Sequence, residues 1–236
     1  MSDRRLPLVE HLAELRRRLI ICLASIFIFA LLSYFYAQKI LALLMKAVGK
    51  LVFIAPQEAF IAYLKIALFA GLFLSLPVIL YQIWQFVSAG LLPKERKYLL
   101  VYGPLSFFLF LIGATFSYQV VLPLGLKFLI DRYSTATLQP MISISKYISF
   151  VGMFLLAFGV VFELPLIVLF LVKIGLVSPQ SLRRRRREVI VLTFILAAVM
   201  TPPDIFTQFL LAVPILLLYE ISLWTAVLVH KKRTGI

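Results

Sequence analysis

Residues Ile148–Val172 read ISFVGMFLLAFGVVFELPLIVLFLV, 25 positions with a single ionisable side chain, Glu163. As an α-helix rising 1.5 Å per residue this stretch is roughly 37 Å long, enough to cross a hydrocarbon layer of about 30 Å. A soluble helix of that length would show a polar face, and this one has none. The segment is expected to span a membrane with a carboxylate near its middle. Such a charge costs on the order of 3 kcal/mol to insert even on the gentler scales, which makes Glu163 a candidate functional group. With no basic residue deep in any span, Glu163 is expected to be neutral or bonded to a polar partner.

Similar runs recur on both sides. Spans are expected at Leu19–Tyr36, Ile66–Val87, Leu99–Val121, Ile148–Val172, Val189–Met200 and Phe209–Val229, leaving no room for a separate globular domain. The chain is thus an all-α polytopic membrane protein, residues 1–236 forming one membrane domain. The fifth run has 12 residues and rises only about 18 Å, so it either thins the bilayer or re-enters it. Charge decides between these. With the N-terminus inside, segments 1–18, 88–98, 173–188 and 230–236 carry 17 of the 24 Lys and Arg, the excess that sets orientation. A re-entrant fifth segment would strand Lys231, Lys232 and Arg233 outside, so six crossings with both termini cytoplasmic is the better count.

Composition agrees: 63% of 236 residues are hydrophobic and 14% charged. The net charge of +14 lies in the gaps between apolar runs, not on one soluble face, which argues against nucleic acid. The one cysteine, Cys22, lies in an apolar run and has no intramolecular disulfide partner. His11 and His230 are the only histidines, too few and too far apart for a haem or metal site built on paired imidazoles. The first apolar run continues for a full span without a small-residue cleavage site, so no cleavable signal peptide is expected. Without a P-loop or a nucleophile–base constellation, no catalytic residue, cofactor or metal is assigned and the chain is not expected to be an enzyme.

Polar residues at the membrane boundaries are the remaining candidates. Leu8, Leu12, Leu15 and Leu19 form one helical stripe, so residues 1–18 are expected to lie on the cytoplasmic surface before turning into the first span. Glu10 and Glu14 share another face. Glu14 either pairs with Arg17 or Arg18 or is held ready for a cationic ligand. Glu95, in Leu92-Pro93-Lys94-Glu95-Arg96-Lys97, either caps a helix start or forms a site for guanidinium groups, which pair bidentately with carboxylates. Gly152, Gly159 and Glu163 share a stripe that would let another helix approach. Glu220 is a second carboxylate within a span. Either buried carboxylate could equally make a structural hydrogen bond between helices. Lys39–Lys50 reads as a short interfacial helix with Ile40, Leu43, Leu44 and Val48 on one side, and Pro56-Gln57-Glu58 as a helix start. In Thr201-Pro202-Pro203-Asp204, the prolines end one helix, and Asp204 or Thr207 caps the next.

These pieces together resemble the TatC family, the multi-span receptor subunit of the twin-arginine protein translocase. The resemblance runs from about residue 8 to residue 230. It rests on His11-Leu12-x-Glu14-Leu15-Arg16, Pro77-Val78-Ile79-Leu80-Tyr81-Gln82-x-Trp84-x-Phe86, Glu95-Arg96, Phe158-Gly159-x-x-Phe162-Glu163-x-Pro165, Ser178-Pro179-x-x-Leu182-Arg183, and Thr201-Pro202-Pro203-Asp204 with Gln208. It implies a concave six-helix bundle in the inner membrane of a prokaryote. Twin-arginine signal peptides of folded cargo would be bound at Glu14 and Glu95, with Arg16 beside them. Single-span partners of the TatA and TatB type would assemble near Glu163, Thr201, Asp204, Gln208 and Phe86, with self-association in the complex and energy from the proton gradient. The alternative is a proton-coupled small-solute carrier with Glu163 and Glu220 as relay groups. Against it stand the lack of an internal repeat and of broken helices around a midplane site.

Overall fold

The computed structural model describes residues 8–46, 51–91, 96, 99–133, 141–201 and 204–234. The described residues form helices α1 (Leu8–Tyr34), α2 (Ala37–Met45), α3 (Pro56–Ala89), α4 (Leu99–Phe116), α5 (Leu122–Tyr133), α6 (Ile144–Val161), α7 (Leu164–Lys173), α8 (Pro179–Arg184), α9 (Arg186–Met200) and α10 (Ile205–Thr234). Four helical stretches are long and apolar enough to cross a bilayer: Pro56–Ala89, Leu100–Arg132, Ile144–Lys173 and Ile205–Val229. The pair α1 and α2 is long and apolar enough only taken together, with a bend of 77° between the two helices, and makes a fifth if it is one broken span. At 15 residues, α9 is about 22 Å long, the short member expected.

Several boundaries differ from the sequence reading. The segment before the first span is not a separate surface helix; α1 runs unbroken from Leu8 through Tyr34, because neither Gly nor Pro interrupts it. The third span does not stop at Val121. A π-helical turn at Ser117–Val121 leads directly into α5, so Asp131 and Arg132 sit on a helix. Pro123 offers the reason: its ring crowds the carbonyl of residue 119 and it has no N–H to donate there, and a widened turn just before it relieves both. Ser134, Thr135, Ala136, Thr137 and Pro140 lie outside the described residues. The fourth span is kinked at Phe162 and Glu163, where Pro165 in the first turn of α7 removes a backbone donor. The chain does therefore contain an irregular intramembrane helix. In α2 the buried face is Ala37 and Leu41, while Leu43 is exposed.

The chain divides into two compact units, residues 1–107 with 142–149 and residues 108–141 with 150–236. In the first, α1 packs antiparallel on α3: His11 meets Phe86, Arg18 meets Gln82, and Ala30 meets Gly71. Leu12, Leu15 and Leu19 of α1 are exposed, while His11 and Arg18 turn toward α3 with Glu14 between them. Glu58 in the first turn of α3 accepts the Ile54 N–H at 2.8 Å and the Ser143 hydroxyl, which ties the segment before the helix to its first turn. Val52 and Ser143 pair as a single parallel bridge. Lys65 donates to the hydroxyls of Ser145 at 2.8 Å and Ser149 at 2.7 Å. In the second unit α10 is the hub, packed by α5, α7, α8 and α9.

Glycine permits the closest helix approaches. A Cβ on Gly71 would lie 2.4 Å from the Ala30 backbone nitrogen, and one on Gly113 would lie 2.4 Å from the Phe158 carbonyl oxygen. Helices in lipid gain association energy from such contact, since apolar burial brings little there. Gly71→Ala and Gly113→Ala are each expected to destabilise by about 1–3 kcal/mol. Gly103, with nothing within 4 Å of its would-be Cβ, should tolerate Ala without loss. Thermal denaturation midpoints in detergent check this; equal behaviour of all three would refute the packing argument.

Candidate functional site

Glu14 stands on the face of α1 that meets α3. Arg18, one turn on, donates from Nε at 3.0 Å and from Nη2 at 2.5 Å, both to the same carboxylate oxygen, Oε1. The Arg18 Nη1 donates across to Gln82 Oε1 at 2.9 Å. His11 Nδ1 lies 3.9 Å from the other carboxylate oxygen, Oε2, and the imidazole stacks on Phe86 with centroids 4.3 Å apart. The Glu14 and Arg18 side chains are 24% and 20% exposed, half-sunk but reachable. They line a cleft of about 300 Å³ with Arg17, Ile21, Tyr81, Gln82 and Gln85. Tyr81 and Gln85 also line a second cleft of about 430 Å³, walled by Pro77, Leu80, Trp84, Leu100, Pro104 and Phe107. The two clefts are neighbours that share Tyr81 and Gln85, the first carrying one carboxylate and two guanidinium groups and the second walled by apolar side chains.

Glu14 pairs with Arg18 and is also one of the residues that line the cleft. Arg16 is exposed and absent from the cleft lining, as its offset of two residues from Glu14 requires on a helix. Glu95 lies outside the described residues. Phe86, grouped in the sequence reading with the partner-helix or intramembrane polar residues, stacks on His11 beside Glu14.

The other expected residues lie in the second unit, and most are already engaged. Thr201 ends α9, its hydroxyl donating to the Ala197 carbonyl at 2.8 Å. Asp204 caps α10 by accepting the Thr207 N–H at 2.7 Å and the Thr207 hydroxyl. Gln208 Nε2 donates to the Phe194 carbonyl at 3.0 Å, tying α10 to α9. Glu163 is 7% exposed, in the turn between α6 and α7. Gly159, one helical turn earlier, is closed off by Phe110, whose ring would meet a Cβ at 2.4 Å. That stripe serves a helix of the same chain. Glu220, on the last span, accepts from Arg186 Nη2 at 2.8 Å. A wholly apolar cleft of about 340 Å³ lies between α6, α9 and α10, lined by Met153, Leu156, Val160, Leu196, Met200 and Leu211 among others.

The sequence reading missed the roles of Gln82, Tyr81 and Gln85. A signal was present: amides within an apolar span need partners, and Gln82 and Phe86 share a face at four-residue spacing.

The family model of Sec-independent protein translocase protein (TatC) matches residues 10–214. The chain belongs to the TatC family. It is 41% identical over 238 residues to the Sec-independent protein translocase protein TatC of Carboxydothermus hydrogenoformans, covering 99% of this chain and 98% of that one. It is 39% identical to that of Desulforapulum autotrophicum, covering 98% and 88%. Among solved structures it is similar to a crystal structure of the twin arginine translocase receptor TatC, with TM-score 0.85 and 37% identity over 93% of this chain and 99% of that one. As a TatC-family member, the chain is a multi-pass membrane protein and a component of a Sec-independent protein translocase, a transport protein in function.

Asp204 provides a direct check on the capping role. Asp204→Ala is expected to lower stability by about 1 kcal/mol and Asp204→Asn by much less, since asparagine also accepts from the N–H. Matched melting curves in detergent would decide it, and equal losses would remove the cap from the account.

Proposed function

We propose that this TatC-family chain is the receptor subunit of the translocase, binding twin-arginine signal peptides of folded proteins at the cytoplasmic face of the inner membrane. The observation that carries the reading is the pair of neighbouring clefts that share Tyr81 and Gln85: Glu14 in one, an apolar wall in the next. A guanidinium pairs with Glu14, and the apolar stretch that follows it lies along Pro77, Leu80, Trp84 and Phe107. Glu95 acts as a second carboxylate for the second arginine. Arginine is preferred because its planar fork sets two N–H donors against one carboxylate, whereas lysine offers a hydrated point charge.

Single-span partners of the TatA and TatB type assemble on the second unit, along the apolar cleft beside the short α9. A helix of about 22 Å draws the bilayer thin around it, and the proton gradient supplies the energy for passage of the cargo. Thr201, Asp204 and Gln208 serve this surface by fixing α9 against α10. Glu163 holds the kinked fourth span behind it.

Glu14→Gln is expected to weaken binding of an arginine-pair peptide by roughly tenfold or more, since hydrogen bonds to a charged group are worth about 1.5–3 kcal/mol. Fluorescence anisotropy with the protein in nanodiscs measures it; an unchanged affinity would sink the site. For Glu163, Gln should preserve co-purification of a single-span partner while Ala should not. Equal recovery from both variants, normalised to folded protein, overturns that role.

A further inference from the structure

Glu14 is not an empty carboxylate. Arg18 already sets two donors on its Oε1, the same chemistry that an incoming guanidinium would use. The third nitrogen of Arg18 is held separately, by Gln82 Oε1 from α3. That second contact does not depend on Glu14. The Arg18 head group therefore has somewhere to remain when its first partner is taken.

We infer that Arg18 is a tethered competitor for the ligand: a built-in guanidinium that occupies Glu14 at rest and is displaced onto Gln82 when a signal peptide binds. The inference rests on the reading of Glu14 as the ligand's carboxylate. Arg18 is one helical turn from Glu14, so its effective concentration there is high and independent of how much peptide is present. Every ligand must exceed that internal offer before it holds.

The chemistry fits an exchange. Arg18 puts both donors on one oxygen, and Oε2 has His11 Nδ1 at 3.9 Å, outside hydrogen-bond reach. An arriving arginine can engage Oε2 first, across the cleft lined by Tyr81, Gln82 and Gln85, before Arg18 has left Oε1. The carboxylate then passes from one guanidinium to another. A tethered competitor also acts alike on all cationic ligands. It multiplies every dissociation constant by one factor, so it sets a threshold for binding and leaves the ratio between arginine and lysine ligands unchanged.

The experiment uses the full chain in nanodiscs and two labelled peptides with the same apolar stretch, one carrying Arg-Arg and the other Lys-Lys. Arg18→Gln should tighten binding of both by the same factor, roughly two- to fivefold, the range of a partly exposed ion pair. Arg18→Lys, which keeps the charge without the fork, should tighten both in the same direction by less. It also serves if the Gln variant fails to fold. Unchanged or weaker binding in the folded variants overturns the inference and makes Arg18 a support that orients Glu14. Tightening of one peptide alone overturns it too. If Glu14→Gln binds as the unaltered chain does, the underlying reading of Glu14 fails, whatever Arg18 does.

Discussion

A bilayer offers no hydrogen bonds, so every polar group within it must be satisfied by the chain itself. The helices meet this for the backbone. For side chains the consequence is an inversion of the soluble rule, and α1 shows it plainly. Its leucines face outward while His11, Glu14 and Arg18 turn toward α3. Gln82 and Phe86, at four-residue spacing on α3, receive them. A cluster that would sit on the surface of a soluble protein becomes the specific contact between two membrane helices. Glycine sets how close the backbones come elsewhere, with Gly71 against Ala30 and Gly113 against Phe158.

The same constraint explains the polar residues around α9. A helix of 15 residues ends inside the depth that its neighbours cross, and its last carbonyls need partners there. Thr201 returns its hydroxyl to Ala197, Asp204 restarts the chain by capping α10, and Gln208 reaches back to Phe194. At the other end of α9, Arg186 is joined to Glu220 of α10. These groups hold a short helix at a fixed depth. What they leave for another helix to touch is the apolar cleft between α6, α9 and α10, so a partner there would be selected by shape more than by hydrogen bonds.

Much of this was legible in the sequence, and the gaps have physical causes. Span number and the short fifth helix follow from run lengths, which depend only on local composition. The pairing of Glu14 with Arg18 follows from a spacing of four. Asp204 as a cap follows from its place after two prolines. What local pattern cannot supply is the distant partner: Gln82 lies 64 residues from Arg18, and periodicity gives a face without saying which helix will meet it. The π-helical turn before Pro123 was hidden for another reason. Proline marks a disturbance, but whether a helix stops, kinks or widens depends on packing around it. Phe86 was grouped with the partner-helix residues because the family motif gives an order along the chain and no neighbourhood. The stripe of Gly159 and Glu163 lets another helix approach, as its small residues suggest, and periodicity could not say that the ring on Gly159 is Phe110 of the same chain.

If Glu14 is the ligand's carboxylate, as proposed, a chain of charge +14 poses it an electrostatic problem, since Arg17 and Arg18 line the same cleft. Long-range repulsion is limited by salt, which screens exposed charges beyond about 8 Å at physiological strength. Within that distance the resting pair resolves the rest. Neutralised by Arg18, Glu14 can sit half-buried against α3 without the cost of an unpaired charge. In the proposed exchange a guanidinium would replace a guanidinium, the charge count at the carboxylate would not change, and Arg18 would stay with Gln82 of α3. The local field that a ligand meets is thus set by the exposed arginines, while the strength with which it is kept is set by exchange at one oxygen pair. On the proposed reading, separating those two quantities would let a strongly basic membrane surface coexist with a site for a basic ligand.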